Sequence, residues 1–169
     1  MKNIYNIVIL LFAFSVQAQV INIPDANFKA KLIALGIDEN GNGEIEIAET
    51  VDIYDLQIQN SNITSLEGIQ YFTEISYLDC SNNNISDLNL SGYYYNLSNL
   101  YCSNNNLTSL NLSNTPYILY LYCSYNQLTS IDLSNNLNTV INVVADNNNL
   151  ITLNIKNGVG VNGLYIENN

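Results

Sequence analysis

The chain has 169 residues and sets 4 Lys or Arg against 15 Asp or Glu, a net charge of −11, with no His, Arg or Trp. That balance excludes the basic footprint of a nucleic-acid binder, argues against anionic membranes, and leaves phosphate or carboxylate ligands without a guanidinium to hold them. The missing His removes the commonest general base and the commonest metal ligand. In chain order, Met1 to Ala18 reads as a secretory signal. Lys2 supplies the positive start, Ile7 to Phe14 the apolar run and Val16-Gln-Ala18 the small-residue cleavage pattern, so the mature protein is expected to begin at Gln19. The apolar run is too short to span a bilayer comfortably. Pro24 to Leu35 reads as a helix, with Pro24 in its first turn, Asp25 at the positive end of the dipole, and Phe28, Leu32 and Leu35 on one apolar face. Gly36 is the expected stop.

The next stretch, Asp38-Glu-Asn40-Gly-Asn42-Gly43-Glu44-Ile45-Glu46-Ile-Ala-Glu49, fits D-x-[DN]-x-[DN]-G-x₅-E. It resembles an EF-hand or dockerin calcium loop. The resemblance implies side-chain oxygens from Asp38, Asn40 and Asn42, the backbone carbonyl of Glu44, a direct or water-mediated contact from Glu46, and a bidentate Glu49. Gly43 would permit the sharp turn and Ile45 would anchor the loop. Two departures stand beside it: the loop is single, and the exiting helix is short. The implied Ca²⁺ affinity is weak, on the order of 0.1–1 mM, because two ligand positions carry neutral Asn. The alternative is an acidic turn with a capping role alone.

From Ile53 onward a phrase repeats. Leu78-Asp-Cys80-Ser-Asn-Asn83-Asn-Ile85 returns as Leu100-Tyr-Cys102-Ser-Asn-Asn105-Asn-Leu107 and again as Leu121-Tyr-Cys123-Ser-Tyr-Asn126-Gln-Leu128. Anchors at Leu56, Leu78, Leu100, Leu121, Val143 and Leu164 are spaced by 22, 22, 21, 22 and 21 residues. Such a period means a solenoid, because one rung cannot bury its apolar face alone and must stack on the next. Alternation across each anchor predicts a short strand, and stacking makes a parallel sheet. Asn83, Asn105, Asn126 and Asn148 are expected to bond backbone groups where the strand turns the corner.

The register L-x-x-L-x-L-x-x-N-x-L resembles that of leucine-rich-repeat proteins over residues 53 to 169. The short period and Leu66-Glu-Gly-Ile69 are similar to internalin-like bacterial surface repeats. The Cys column and the downstream Leu-x-Leu-Ser resemble repeats of secreted Bacteroidetes proteins. The implied fold is α/β: a leucine-rich-repeat solenoid with its parallel sheet on the concave face and an N-terminal helical cap. The expected division is a signal at 1–18, a helix and calcium-loop-like cap at 19–52, and about six rungs at 53–169, the last incomplete. The period of two in Leu88-Asn-Leu90, Leu110-Asn-Leu112 and Ile131-Asp-Leu133 suggests extended segments on the far side. Tyr93-Tyr-Tyr95, in one return loop, reads as an exposed aromatic patch or as packing.

Residues flanking the anchors face outward, and core packing does not select them. Tyr77, Asp79, Tyr101, Tyr120, Tyr122 and Tyr165 are the candidate ligand-binding residues there, since tyrosine offers a large contact area and a polar tip at low entropic cost. Cys80, Cys102 and Cys123 share an inward column and are expected as free core thiols. No nucleophile–base pair appears, so an enzyme is not expected. The expectation is a secreted or cell-surface bacterial binding module with a protein or glycan ligand, no nucleic acid and no membrane span. The alternative is a structural spacer or adhesin stalk from a longer surface protein or enzyme. The sequence ends on the sixth rung without a capping segment, so fraying or end-to-end association at that edge is expected.

Overall fold

Each rung opens with a strand in which the anchor side chain points inward. These are β1 (Asp55–Gln57), β2 (Tyr77–Asp79), β3 (Asn99–Tyr101), β4 (Tyr120–Tyr122), β6 (Val140–Val144) and β8 (Val161–Tyr165). The computed structural model of the chain describes residues 19–90, 92, 94–156 and 159–169. The segment read as a signal and Tyr93 lie outside the described residues. The six strands form one parallel sheet in the order β1-β2-β3-β4-β6-β8. Its register aligns Leu56, Leu78, Leu100, Leu121, Val143 and Leu164 in one column. The architecture is therefore the expected parallel-sheet solenoid. The first five anchors are fully buried, whereas Leu164, on the last strand, is 39% exposed. Burying one such side chain is worth about 1.5–3 kcal/mol, so stacking supplies what a lone rung lacks.

A second column fixes where each rung turns. Asn83, Asn105, Asn126 and Asn148 are buried. Their Nδ2 groups donate to the carbonyls of Ile58, Cys80, Cys102 and Cys123 in the preceding rung at 2.9–3.0 Å. They also donate within their own rung, to Cys80, Cys102, Cys123 and Ala145. Their Oδ1 atoms accept the amide N–H groups of Ile63, Ile85, Leu107 and Leu128, each at 3.0 Å. One amide thus closes backbone groups of two rungs that the corner takes out of the strand ladder. The residue before it is left-handed in every rung: Asn60, Asn82, Asn104, Tyr125, Asn147 and Asn168 have φ between 54° and 56°.

The far side is less regular than the sheet. Leu88, Leu90, Leu110 and Leu112 are buried as expected, but among the described residues only β5 (Ser130–Asp132) and β7 (Thr152–Asn154) pair there, as a two-stranded parallel sheet. In the return loop Tyr94 is fully buried and its Oη donates to the Ile69 carbonyl at 2.7 Å. Tyr95 is exposed, with its ring 6.0 Å from that of Tyr117. The tyrosine run therefore supplies packing and surface from neighbouring positions.

The cap is built on α1 (Ala26–Ala34). Two expectations need correction. Pro24 precedes the helix and Asp25 is its N-cap, accepting Asn27 and Phe28 N–H, both at 2.9 Å. Leu35 is not on the buried face; Ile37 packs in the core with Phe28 and Leu32 instead. Gly36 takes φ 78°, and the amides of Gly36 and Ile37 return to the Ile33 and Leu32 carbonyls. That helix-ending turn swings Leu35 out and Ile37 in. The second Asp25 oxygen accepts Thr64 N–H, Thr64 Oγ1–H and Ser65 N–H at 2.7–3.1 Å, which ties the cap to the first rung. A second close approach occurs at Gly68, φ 105°, where an added Cβ would lie 2.8 Å from Ile23 Cγ1.

Asn105→Ala strips a buried amide that serves its own rung and the one before it, and is expected to cost about 3 kcal/mol in urea denaturation, whereas Asn106→Ala, at an exposed site, should stay within about 0.5 kcal/mol. Equal losses in both would refute the ladder's structural role. A second prediction concerns pH. Burial pushes the Asp25 carboxyl up, but hydrogen bonds from Thr64 Oγ1 and the Phe28, Thr64 and Ser65 amides outweigh it and bring the pKa from 3.8 to about 2. A depressed carboxylate contributes stability above its unfolded pKa that is lost as pH falls through the folded one. Asp25→Ala should therefore cost about 1–2 kcal/mol at neutral pH, and the difference from wild type should shrink between about pH 4 and about pH 2.

Candidate functional site

Two regions hold the residues singled out from the sequence. The first is the open face of the six-stranded sheet, where strand alternation turns the anchors inward and their neighbours outward. Tyr101 and Tyr122 are register partners in β3 and β4, and their rings stack at 4.7 Å with an interplanar angle of 8°. Tyr77, on the opposite neighbour β2, lies 5.1 Å from Tyr101 at 30°. Tyr101 is therefore flanked by a ring on each side, and the three form a ladder along the solenoid axis. All three are half-buried, and the Tyr122 Oη accepts Asn142 Nδ2 at 3.4 Å. Asp79 stands directly beside Tyr101 in the register. Burial, then the charge of Asp79, raises the Tyr77 pKa; burial, then Tyr122, raises that of Tyr101. Both hydroxyls consequently stay protonated donors.

Tyr120 and Tyr165 sit differently. Tyr120 is on the same face but opposite Asn99 and Asn142, in the other outward column. Tyr165 is separated from Tyr122 by Val144 of β6 and is 54% exposed, so it does not extend the ladder. Sequence reasoning missed Tyr125. It occupies the left-handed column otherwise filled by Asn, at φ 55°, with its side chain 58% exposed. Asn tolerates this conformation through its short polar side chain, whereas a bulky residue there carries strain of about 1–3 kcal/mol. The signal was legible: Tyr125 is the one break in a column of Asn60, Asn82, Asn104, Asn147 and Asn168.

The second region is the 38–49 loop. The Asp38 carboxylate accepts the N–H groups of Gly41, Asn42 and Gly43 at 2.8–3.1 Å. Gly41 and Gly43 take φ 71° and 82°, as the tight turn requires. Asn40 Oδ1 accepts Asn42 N–H and Asn42 Oδ1 accepts Glu44 N–H, at 2.9 and 2.7 Å. The amide nitrogens then point at carboxylates. Asn40 Nδ2 donates to Glu46 Oε2 at 3.0 Å and Glu49 Oε1 at 3.1 Å, and Asn42 Nδ2 to Glu46 Oε1 at 2.7 Å. Glu49 also accepts the Glu39 and Glu46 amides, and the Glu44 side chain meets Lys29 Nζ at 2.7 Å. A hydrogen bond with Glu49, then one from Asn42, holds the Glu46 carboxyl below the usual carboxylate range, against burial and the charge of Asp38. Ile45 is fully buried and anchors the loop.

The sequence-named residues of the loop thus converge, and their hard oxygens suit a hard cation. In the arrangement described, however, amide hydrogens of Asn40 and Asn42 hold the Glu46 and Glu49 oxygens together. Among the described residues no group of three or more His, Cys, Asp and Glu is placed to hold a metal ion. A calcium ion would need both amides to turn and present oxygen.

Cys80, Cys102 and Cys123 are free and buried, and burial pushes the Cys80 and Cys123 thiols up to about 12 and Cys102 well above its ordinary value. They are inert core residues on this geometry. An open cleft of about 430 Å³ between the first two rungs is lined by Thr64, Glu67, Gln70, Ser86 and Asp87 among others, and holds none of the candidate ligand-binding or metal-binding residues. No helix among the described residues is long and apolar enough to cross a membrane.

No protein-family model and no curated protein matches the chain. Solved structures do. The functional domain of InlJ from Listeria monocytogenes, described as including a cysteine ladder, is similar at 29% identity and a TM-score of 0.56, over 78% of this chain and 34% of that one. Internalin C2 from Listeria monocytogenes strain 4b F2365 aligns at 18% identity and a TM-score of 0.46, over 89% of this chain and 98% of that one. This chain thus spans about a third of the InlJ chain it matches. The parallel sheet, the rung register and the InlJ likeness together make the fold that of an internalin-like leucine-rich-repeat solenoid.

Proposed function

We propose that the chain is a secreted or cell-surface, non-enzymatic protein-binding module, with the partner docked on the open sheet face around Tyr77, Tyr101 and Tyr122. The observation that carries this reading is the tyrosine ladder itself. Outward positions of the sheet need no aromatic residue for the core, yet three rungs in succession place one there in ring contact. Stacked rings are rigid, so their edges and hydroxyls meet a partner at low entropic cost. A sugar that stacks on a ring needs a free face, and Tyr101 has a neighbour on each side. This favours protein over the glycan alternative. Internalin-like solenoids commonly serve protein binding, which supports the same reading. The secretory pattern in 1–18 supports the location.

We further propose that the 38–49 loop binds Ca²⁺ weakly and stiffens the cap. When bound, calcium would supply charge neutralisation within the loop. Asp38, Asn40, Asn42, the Glu44 carbonyl, Glu46 and Glu49 would hold it. The ordering it brings would reach the first rung through α1 and Asp25.

The binding reading is tested by pull-down from target-cell surface extracts with wild type, the Tyr101→Ala/Tyr122→Ala pair and a far-side control, Asn111→Ala. A partner kept by wild type and control should be lost, at least about tenfold in affinity, by the pair. A partner retained equally by all three would sink the sheet-face reading, as would a spacer that retains none. For the loop, 5 mM Ca²⁺ against chelator should raise wild-type stability by about 1–2 kcal/mol, and the increment should vanish in Glu49→Gln; equal melts for wild type in both buffers would return the loop to an acidic turn. Tyr125→Asn should relieve left-handed strain and raise stability by about 1 kcal/mol in the same melt. A loss of stability would show that the Tyr125 ring packs to advantage where it stands.

A further inference from the structure

The outward columns of the sheet are one-signed. They carry Asp55 in β1, Asp79 in β2, and Asp146 and Glu167 just past β6 and β8, and they carry no lysine. The described bases lie elsewhere: Lys29 and Lys31 are in α1, with Lys29 paired to Glu44, and Lys156 comes after β7 on the far side. These acids bracket the tyrosine ladder, two on the side of the first rungs and two on the side of the last.

The acids are also held in place. Asp79 Oδ1 accepts both Ser81 N–H, at 3.0 Å, and Ser81 Oγ–H, at 2.6 Å. Asp146 Oδ1 accepts Glu167 N–H at 2.6 Å. In each case the hydrogen bonds described fall on one oxygen, which fixes the carboxylate. The face therefore offers fixed acceptors and negative charge and no cation of its own.

From this charge pattern we infer that the partner is a basic polypeptide segment, whose Lys or Arg side chains meet the acids at the two ends of the ladder while its backbone and stems pack along Tyr77, Tyr101 and Tyr122. The inference rests on the sheet-face reading above and adds the chemistry of what docks there. Asp79 and Asp146 lie three rungs apart, on the order of 15 Å at the spacing of paired strands. An extended segment covers that distance in about four or five residues. Two basic residues at that separation can reach both carboxylates at once, and charge-assisted bonds to arginine can be bidentate. Like charge keeps acidic partners away, so the same residues exclude as well as attract.

The test uses the full chain and three labelled peptides of twelve residues. One is a Gly/Ser peptide with two Arg pairs five residues apart, one has Glu in place of Arg, and one is neutral. Fluorescence anisotropy at low salt should show binding of the Arg peptide alone, weakened about tenfold or more in moderate salt, where surface charges are screened. Asp79→Asn/Asp146→Asn should weaken it about tenfold. Asn keeps an acceptor for the local N–H bonds, and the exposed pair Asp55→Asn/Glu167→Gln provides a second variant with little at stake in folding. The control Asp52→Asn/Asp87→Asn removes equal charge away from the face and should leave affinity unchanged. Equal weakening by the control, or none by either face pair, would overturn the inference as mere bulk charge. Binding of the neutral peptide, lost in Tyr101→Ala/Tyr122→Ala, would overturn the basic partner and leave the sheet-face reading standing, whereas binding of neutral cellohexaose lost in the same pair would overturn both in favour of a glycan ligand. Arg-peptide binding unchanged by Tyr101→Ala/Tyr122→Ala and by both face pairs would overturn both.

Discussion

The structure depends on one buried amide per rung. A solenoid has no tertiary contacts beyond its neighbours, so each turn must be closed by what the adjacent turn offers. The strand ladders satisfy backbone groups along the sheet, but at the corner the chain leaves the ladder and would bury unpaired N–H and C=O groups, each costing about 1–3 kcal/mol. Asn83, Asn105, Asn126 and Asn148 meet both kinds with one side chain, because an amide donates from one end and accepts at the other. Neither Asp nor Leu could do so, since one lacks the donor and the other both. At a spacing of 21 or 22 residues this amide reaches back to the same two groups each time.

Because the inward columns and the asparagines carry stability, the outward columns are released from it. That division explains why the tyrosine ladder and the acids on the sheet face are informative. Leu78 or Asn83 says nothing of a partner, since packing demands each of them. Tyr101, Asp79 and Asp146 satisfy no such demand. Tyr125 goes further, for it stands against the local preference: the chain uses Asn at the equivalent left-handed position of the other five rungs.

Much of the fold was legible because period and register are properties of the sequence. The anchors, the asparagine column and the free inward cysteines could all be placed by subtraction. What escaped was set by geometry that spacing does not encode. Leu35 fits the helical face by count, yet the turn at Gly36 hands its place to Ile37. Leu88 and Leu110 have the alternation of β5, but only the later rungs bring far-side backbones into pairing. The six tyrosine and aspartate positions named for the face lie at outward positions of the strands, while the stacking that groups Tyr77, Tyr101 and Tyr122 and leaves Tyr165 apart depends on Val144 intervening. In the loop, the motif identified which residues converge. It could not say that the amides of Asn40 and Asn42 would turn their nitrogens to Glu46 and Glu49.

The negative charge resolves into two populations with different consequences. Eight of the fifteen acids fall between Asp25 and Asp55, and most of those described there are answered locally. Asp25 receives five hydrogen bonds from the helix start and the first rung, Asp38 takes backbone amides, Glu46 takes side-chain amides, Glu49 takes both kinds, and Glu44 holds Lys29. Those carboxylates work as connectors of the cap, and an ion bound among them would replace hydrogen bonds already present. That limits the net gain and agrees with weak affinity. Asp79 and Asp146 are anchored through one oxygen each, in outward columns that carry no lysine. Charge answered within the fold stabilises it; charge on a rigid outward face is left to water and counter-ions until a partner of opposite sign displaces them, which is the role inferred for Asp79 and Asp146.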